Sequence, residues 1–286
     1  MSLIEQAMAK MQASRTREVA TPEKKPERAA IELGGAPPKP GSTMQLPYAD
    51  LRLRGILPPE HQDRELADQY RTIKRPLLAA AFEQAAERGP LSRSLIVTSS
   101  VPGEGKTFTS LNLAMNMALE RDYTVVLIDG DVAKGELSEA MGHAHRPGLL
   151  DVLANTSTTL ESCMVGVERP RMMFVPAGEL RSGAPELLSS ARMRSVFTEF
   201  LERHPSCFLI FDSPPLLLTS EAQSLLSVAG QVLLVVHSGN TTRKDVLDSV
   251  AAIGPAPSVS LLLNQVPYHA EQPRYGYGAQ PQTQTE

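Results

Sequence analysis

The apolar run Leu95-Ile-Val-Thr98 leads straight into Ser99-Ser-Val-Pro-Gly-Glu-Gly-Lys-Thr107, and a helical pattern over Ser110–Leu119 follows at once. In such a loop small residues let backbone N–H groups close around phosphate oxygens, and the start of the next helix adds its positive end. Lys106 supplies a cation for the outer phosphates, and Thr107 a hydroxyl suited to Mg²⁺. Ser100 stands where the first glycine of such a loop is usual. The strand–loop–helix context outweighs that departure and the bare alternative, a glycine-rich turn with an exposed lysine. The candidate nucleotide-binding residues are Pro102, Gly103, Glu104, Gly105, Lys106, Thr107 and Phe108.

Further short apolar runs occur at Val125–Ile128, Met172–Val175, Phe208–Phe211, Val232–Val236 and Ser258–Leu263. Helical segments such as Ala184–Leu201 and Thr241–Ile253 lie between most of them. Strands that are apolar throughout, rather than alternately, belong to a sheet covered on both faces. The fold class expected is therefore α/β, a mainly parallel sheet flanked by helices. In an open parallel sheet, ligands gather at the carboxyl ends of strands. Two further runs end there in acids, Asp129-Gly-Asp131 and Asp212-Ser-Pro-Pro215. Residues two apart on extended chain share a side, so Asp129 and Asp131 face one way. A lone aspartate after a strand is often only a helix cap. Three beside one phosphate loop call for a cation, and Mg²⁺ takes one or two carboxylates directly.

The flanks differ from this core. Residues 1–62 carry eight of the 23 prolines among charges and small residues, which predicts a disordered leader. Within it Leu3, Ile4, Ala7, Met8 and Met11 recur at helical spacing, giving a short amphipathic N-terminal helix. The α/β core is bounded at 63–265, and 266–286, rich in Gly, Pro and Gln, reads as a flexible tail. No stretch reaches the roughly 18–20 apolar residues of a membrane span, and no secretory signal is visible. Cys163 and Cys207 stand apart, which excludes a disulfide scaffold and fits a cytoplasmic, reducing setting. The six histidines show no metal-ligand spacing. A net charge of −4 argues against a nucleic-acid-coating role.

Together, Ser99-x-x-Pro102-x-x-Gly105-Lys-Thr107, Val126-Leu-Ile-Asp129-x-Asp131 and Leu209-Ile-Phe-Asp212-x-Pro-Pro215 resemble the Walker A, A′ and B motifs of bacterial tyrosine kinases. Gly148-Leu-Leu-Asp-Val-Leu153, Val175-Pro-Ala-Gly178 and Pro185-Glu-Leu-Leu188 extend the likeness, and Met1-Ser-Leu-Ile-Glu5 is similar to a cytosolic subgroup tied to exosortase-linked exopolysaccharide clusters. The resemblance implies a P-loop NTPase fold shared with MinD- and ParA-like ATPases, ATP and Mg²⁺ as cofactors, and autophosphorylation of a C-terminal tyrosine cluster. Carried over, Lys106 and Thr107 hold phosphates and metal, Asp131 and Asp212 hold or orient the metal, and Asp129 accepts the tyrosine proton. The catalytic set is thus Asp129, Lys106 and Asp131; the metal set is Thr107, Asp131 and Asp212.

Two departures stand out. Ala133, followed by Lys134, replaces the arginine usual after the second motif. The family's Glu-x-x-Arg-x-x-Arg ring-packing helix has as its counterpart Asp68-x-x-Arg71-x-x-Lys74, with Pro76 ending or kinking that helix soon after. A solvated charged face is the alternative for that segment.

Tyr268, Tyr275 and Tyr277 are half of the six tyrosines and fall in the last 19 residues, where a core role is excluded by composition. They are the expected phosphorylation sites. The implied partners are further copies of the chain and a membrane chain-length determinant, or co-polymerase, acting as activator. Membrane contact comes only through that partner, with the amphipathic tip as the contact, and no nucleic acid is bound. Two rival readings remain, an ATPase that positions other molecules and an inactive nucleotide-binding regulator of the co-polymerase. The first lacks its expected lysine five positions before Lys106, where Val101 stands.

Overall fold

The computed structural model describes residues 37–267, except Gln84 and Ala256. Its frame is an eight-stranded sheet: β1 (Ser42–Met44), β2 (Ser94–Ser99), β3 (Thr124–Asp129), β4 (Val165–Val167), β5 (Met172–Val175), β6 (Cys207–Asp212), β7 (Gln231–His237) and β8 (Ser258–Asn264). The spatial order is β1-β4-β5-β3-β6-β2-β7-β8, and every neighbouring pair is parallel except β4 with β5.

The continuous apolar runs have a simple cause. Side chains alternate across a strand, and here both faces are covered. Leu95, Val97, Val125, Leu127, Phe208 and Ile210 enter one core, against helices α1 (Tyr48–Leu53), α2 (Asp63–Glu83) and, past the one-turn α3 (Ala85–Arg88), α4 (Lys106–Met117). Ile96, Val126, Ile128, Leu209 and Phe211 enter the other. That second core is covered by α6 (Leu149–Ala154), which follows the short α5 (Glu136–Ala140), and by the one-turn α7 (Leu160–Cys163). The helices α8 (Ala184–Leu188), α9 (Ala191–Arg203), α10 (Ser220–Leu225) and α11 (Arg243–Ile253) complete the covering layer.

The expectation of disorder up to residue 62 is corrected for the part described. Ser42–Met44 pair in register with Val165–Val167, and Leu46, Leu51, Ile56 and Leu57 are buried in the core under α2 and α4. The prolines of this stretch punctuate it without removing its apolar residues, which pack on one face of the sheet, while Ser42–Met44 pair the edge of β4 and form the end strand. The folded unit therefore starts some twenty residues before the expected boundary at 63. The amphipathic tip, with Leu3, and the tail tyrosines Tyr268, Tyr275 and Tyr277 lie outside the described residues.

Three local expectations also change. The helix expected over 184–201 breaks at Ser189-Ser190, where Ser190, in extended geometry, occupies the N-cap position of α9. Pro76 sits inside α2, which continues to Glu83 because Leu77, Leu78 and Ala81 bury beyond it. Lys74 does not share a solvent face with Asp68 and Arg71: its Nζ donates to the Asn116 carbonyl at 2.9 Å and pairs with Glu120 at 2.7 Å. Asp68 and Arg71 pair with each other at the surface.

Candidate active site

Strand order does most of the assembly. β3, β6 and β2 are consecutive neighbours, and the register sets Asp129 beside Asp212 and Asp212 beside Val97. The loop after β2 and the acids after β3 and β6 thus share one edge of the sheet.

The phosphate loop is held from three directions. Gly105 occupies the left-handed region, at φ +90°, as the N-cap of α4, and no side chain caps that helix. Its first N–H groups are left for an anion, where the helix dipole favours one. The backbone angle at Gly105 favours glycine, and a Cβ there would come within 2.1 Å of Asn264 Nδ2 and displace that amide. Glu104 is buried; one of its carboxylate oxygens accepts the Val101 N–H at 2.9 Å and the other accepts the Thr241 hydroxyl. From the end of β8, Asn264 Nδ2 donates to the Glu104 carbonyl at 2.9 Å and Gln265 Nε2 to the Gly103 carbonyl at 3.1 Å. Below the loop, Ser249 and Ser100 share a hydrogen bond at 2.8 Å.

Lys106 is buried, with its Nζ 3.9 Å from Asp131 Oδ2. Asp212 Oδ1 lies 3.0 Å from Ser110 Oγ, and the Thr107 hydroxyl also favours the ionised form of that carboxylate. Burial pushes the Asp212 carboxyl up to about 6, against the pull of Lys106. Asp131 is also raised by burial, with Lys106 again opposing. Asp129 has no exposed surface, and burial followed by the neighbouring Asp212 charge pushes it up to about 7. Its Oδ1 accepts the Asp131 N–H at 3.2 Å, while Oδ2 accepts both the N–H and the hydroxyl of Ser138, at 2.8 and 2.6 Å. Asp129 and Asp131 therefore turn apart, one toward α5 and one toward Lys106, instead of sharing a side.

Among the described residues no cluster of three or more His, Cys, Asp or Glu side chains is arranged to hold a metal by itself. The donor set nonetheless fits Mg²⁺: a hydroxyl, Thr107, and two carboxylates, Asp131 and Asp212, are hard oxygen ligands, and this ion completes its shell with phosphate and water. Beyond Asp131 a cleft of about 700 Å³ opens, walled by Ala133, Lys134, Ser138, Ala177 and Gly178 among others. Ala133, small and exposed, leaves room in that wall.

Sequence reasoning missed Ser110, Ser138, Thr241, Asn264 and Gln265. Ser110 alone had a signal, since it lies one turn after Lys106 on α4 and so returns to the same face. The others act from elements remote in sequence. Cys163 and Cys207 are buried free thiols.

A family model described as an AAA domain matches residues 93–251. The tyrosine-protein kinase YwqD of Bacillus subtilis (strain 168) is 30% identical over 215 residues, covering 74% of this chain and 85% of the relative. The putative tyrosine-protein kinase EpsB of Ralstonia solanacearum is 31% identical over 188 residues, which span 65% of this chain but 24% of that relative. Among solved structures, the VpsO kinase domain aligns with a TM-score of 0.57 at 26% identity, covering 77% of this chain and 99% of its own. The kinase domain of the Escherichia coli tyrosine kinase ETK has the same fold, with a TM-score of 0.58 at 24% identity over 74% of this chain and 80% of its own.

Proposed function

The chain belongs to the bacterial tyrosine kinases, a family of P-loop protein-tyrosine kinases, and from that premise we propose that it uses ATP and Mg²⁺ to phosphorylate its own C-terminal tyrosines, Tyr268, Tyr275 and Tyr277. The observation that carries this reading is the convergence of Lys106, Asp131 and Asp212 on the loop end of α4; a cleft that begins at Val132, the next residue after Asp131, is large enough for an acceptor side chain. In the proposed mechanism Lys106 and the α4 N-terminus draw the phosphates into line, and most of the barrier falls through positioning and electrostatic stabilisation. Thr107, Asp131 and Asp212 are the residues that would hold Mg²⁺, which when bound neutralises charge on the phosphates. Asp129 takes the proton as the tyrosine oxygen becomes the nucleophile. A tyrosine hydroxyl titrates near ~10, so the transfer accompanies bond formation rather than preceding it. In the protein free of metal and nucleotide, burial and the Asp212 charge raise this carboxyl to about 7, toward the range in which a carboxylate accepts a proton near neutral pH.

Each phosphate adds about −1.5 to −2 charge. A tail so modified repels a protein that is already negative, which supports a reading in which phosphorylation loosens contacts between copies of the chain. The output proposed is control of exopolysaccharide or capsule polymerisation or export, through a membrane co-polymerase that recruits and activates the kinase at the inner face of the membrane. No helix among the described residues is long and apolar enough to cross a membrane. Deleting residues 1–15 tests the recruitment, and co-purification with the partner should then be lost.

The deciding experiment is the intact mass of the protein after incubation with ATP and Mg²⁺, beside Lys106→Met and the triple Tyr268/Tyr275/Tyr277→Phe variant. Gains of one to three phosphates, absent from both variants, are expected. No gain, even with the co-polymerase's cytosolic segment added, would replace the kinase reading of this tail with that of a nucleotide-binding regulator.

A further inference from the structure

The carboxylate of Asp129 has a support that the three nucleotide motifs do not contain. Ser138 lies on α5, and its N–H and hydroxyl both donate to Asp129 Oδ2, at 2.8 and 2.6 Å. The same Ser138 Oγ accepts the backbone N–H of Ala177 at 2.9 Å. Ala177 belongs to the 176–178 loop after β5, which is itself hydrogen-bonded to the start of α6: Leu149 and Leu150 donate to the carbonyls of Pro176 and Ala177 at 2.8 and 3.0 Å. Both Ser138 and Ala177 line the cleft of about 700 Å³ beside Asp131. A continuous chain of donors thus runs from the cleft wall to the carboxylate: Ala177 N–H to Ser138 Oγ, and Ser138 O–H to Asp129 Oδ2.

A serine hydroxyl has one proton to give and lone pairs to receive. Because Ala177 fills the acceptor side of Ser138, the proton is committed to Asp129, and the carboxylate plane is fixed by two donors on one oxygen and the Asp131 N–H on the other. We propose that Ser138 is a positioning residue for phosphoryl transfer, fixing the orientation of Asp129 and tying it to the Ala177 wall of the cleft in which the acceptor is bound. The proposal rests on the assignment of Asp129 given above. It adds that the wall touched by the acceptor and the group that receives its proton are one hydrogen-bonded unit, so an acceptor that seats against Ala177 also sets Asp129.

The test uses the full chain with Ser138→Ala and Ser138→Thr. Rates are read both as phosphotyrosine formed and as phosphate released from ATP, with nucleotide affinity measured separately by a fluorescent ATP analogue. Removing the outer hydrogen-bond partner of a metal ligand costs about 10–100-fold in activity, and the support of a proton acceptor is taken on the same scale. Ser138→Ala should therefore lower kcat by about that factor while nucleotide affinity stays within roughly threefold. Ser138→Thr, which keeps the hydroxyl, should recover kcat above the alanine variant. A purely packing role predicts the opposite order, because alanine fits the buried site and threonine overfills it. An unchanged kcat in Ser138→Ala, or a loss that follows nucleotide affinity, overturns the proposal. Should Ser138→Ala not fold, Ser138→Cys, with a weaker donor on the same stem, replaces it under the same criteria. A wild type that releases phosphate without forming phosphotyrosine fails the kinase reading instead, and the Ser138 comparison is then decided on the hydrolysis rate.

Discussion

Gly148→Ala is a small change with a calculable cost. Gly148 has φ −154°, ordinary extended backbone, so alanine meets no torsional objection. The objection is space: a Cβ would fall 2.0 Å from the Pro176 carbonyl oxygen, 2.5 Å from the Gly178 nitrogen and 2.6 Å from the Pro176 carbonyl carbon. Every one of these atoms is main chain. Non-bonded carbon contacts settle at about 3.5–4.0 Å, so the α6 start and the 176–178 loop must part by roughly 1.5–2 Å. That parting breaks the bonds from Leu149 and Leu150 to the loop carbonyls. Two lost hydrogen bonds at about 1 kcal/mol each, with a further ~1–3 kcal/mol of overpacking strain, give a destabilisation of about 3–5 kcal/mol. For a domain of this size that lowers Tm by roughly 6–20 °C. Thermal and urea unfolding followed by circular dichroism read it directly. Gly239→Ala is the control: φ is +76° and no atom lies within 4 Å of the new Cβ, so only the backbone penalty of about 1–2 kcal/mol applies. If Gly148→Ala proves no worse than Gly239→Ala, the steric account of this contact is wrong.

Three other outcomes are expected. In the protein free of metal and nucleotide, Asp129 and Asp212 are held at about 7 and about 6, above the unfolded value near ~3.9. The folded state then binds the extra protons, so these groups make stability fall as pH rises from about 4 to about 7 and level off above; Asp129→Asn should flatten that slope in urea melts, and an unchanged slope would count against it. Arg93 is buried and spends its guanidinium on the carbonyls of Leu201, His204 and Pro205, at 2.7, 3.1 and 2.6 Å, so Arg93→Met should cost roughly 2–4 kcal/mol by denaturation. Lys74→Ala should destabilise by roughly 1–3 kcal/mol, whereas Arg71→Ala, in an exposed pair, should stay within about 0.5 kcal/mol; equal losses would place both on one solvated face.

What the sequence made legible follows from how each contact is encoded. β2, β3, β6 and β7 could be read because double-sided burial writes itself as uninterrupted apolar residues. β1 and β4 have three residues each, too short for any period, and the first hides among prolines. The loop from Ser99 to Thr107 and the acids at Asp129, Asp131 and Asp212 were visible because each is local to a strand end. Lys74 was misleading because spacing alone cannot tell an outward charge from one that reaches back to a helix terminus. Ser138, Thr241 and Asn264 were invisible for a related reason. A serine, threonine or asparagine is ordinary in any loop, and only the folded chain shows which distant backbone or carboxylate it meets.

The reach of Asn264 and Gln265 bears on how this protein is made. Their side chains meet the Glu104 and Gly103 carbonyls across about 160 residues of sequence. Asn264 ends, and Gln265 follows, the strand that the ribosome delivers after all others in the sheet. A growing chain that already possesses the glycines, the lysine and all three acids still lacks the two amides that brace the loop. Synthesis order therefore makes β8 a completion step: a product cut short before residue 258 carries every nucleotide motif and the Thr241 and Ser249 supports, yet lacks the two amides that hold the loop carbonyls.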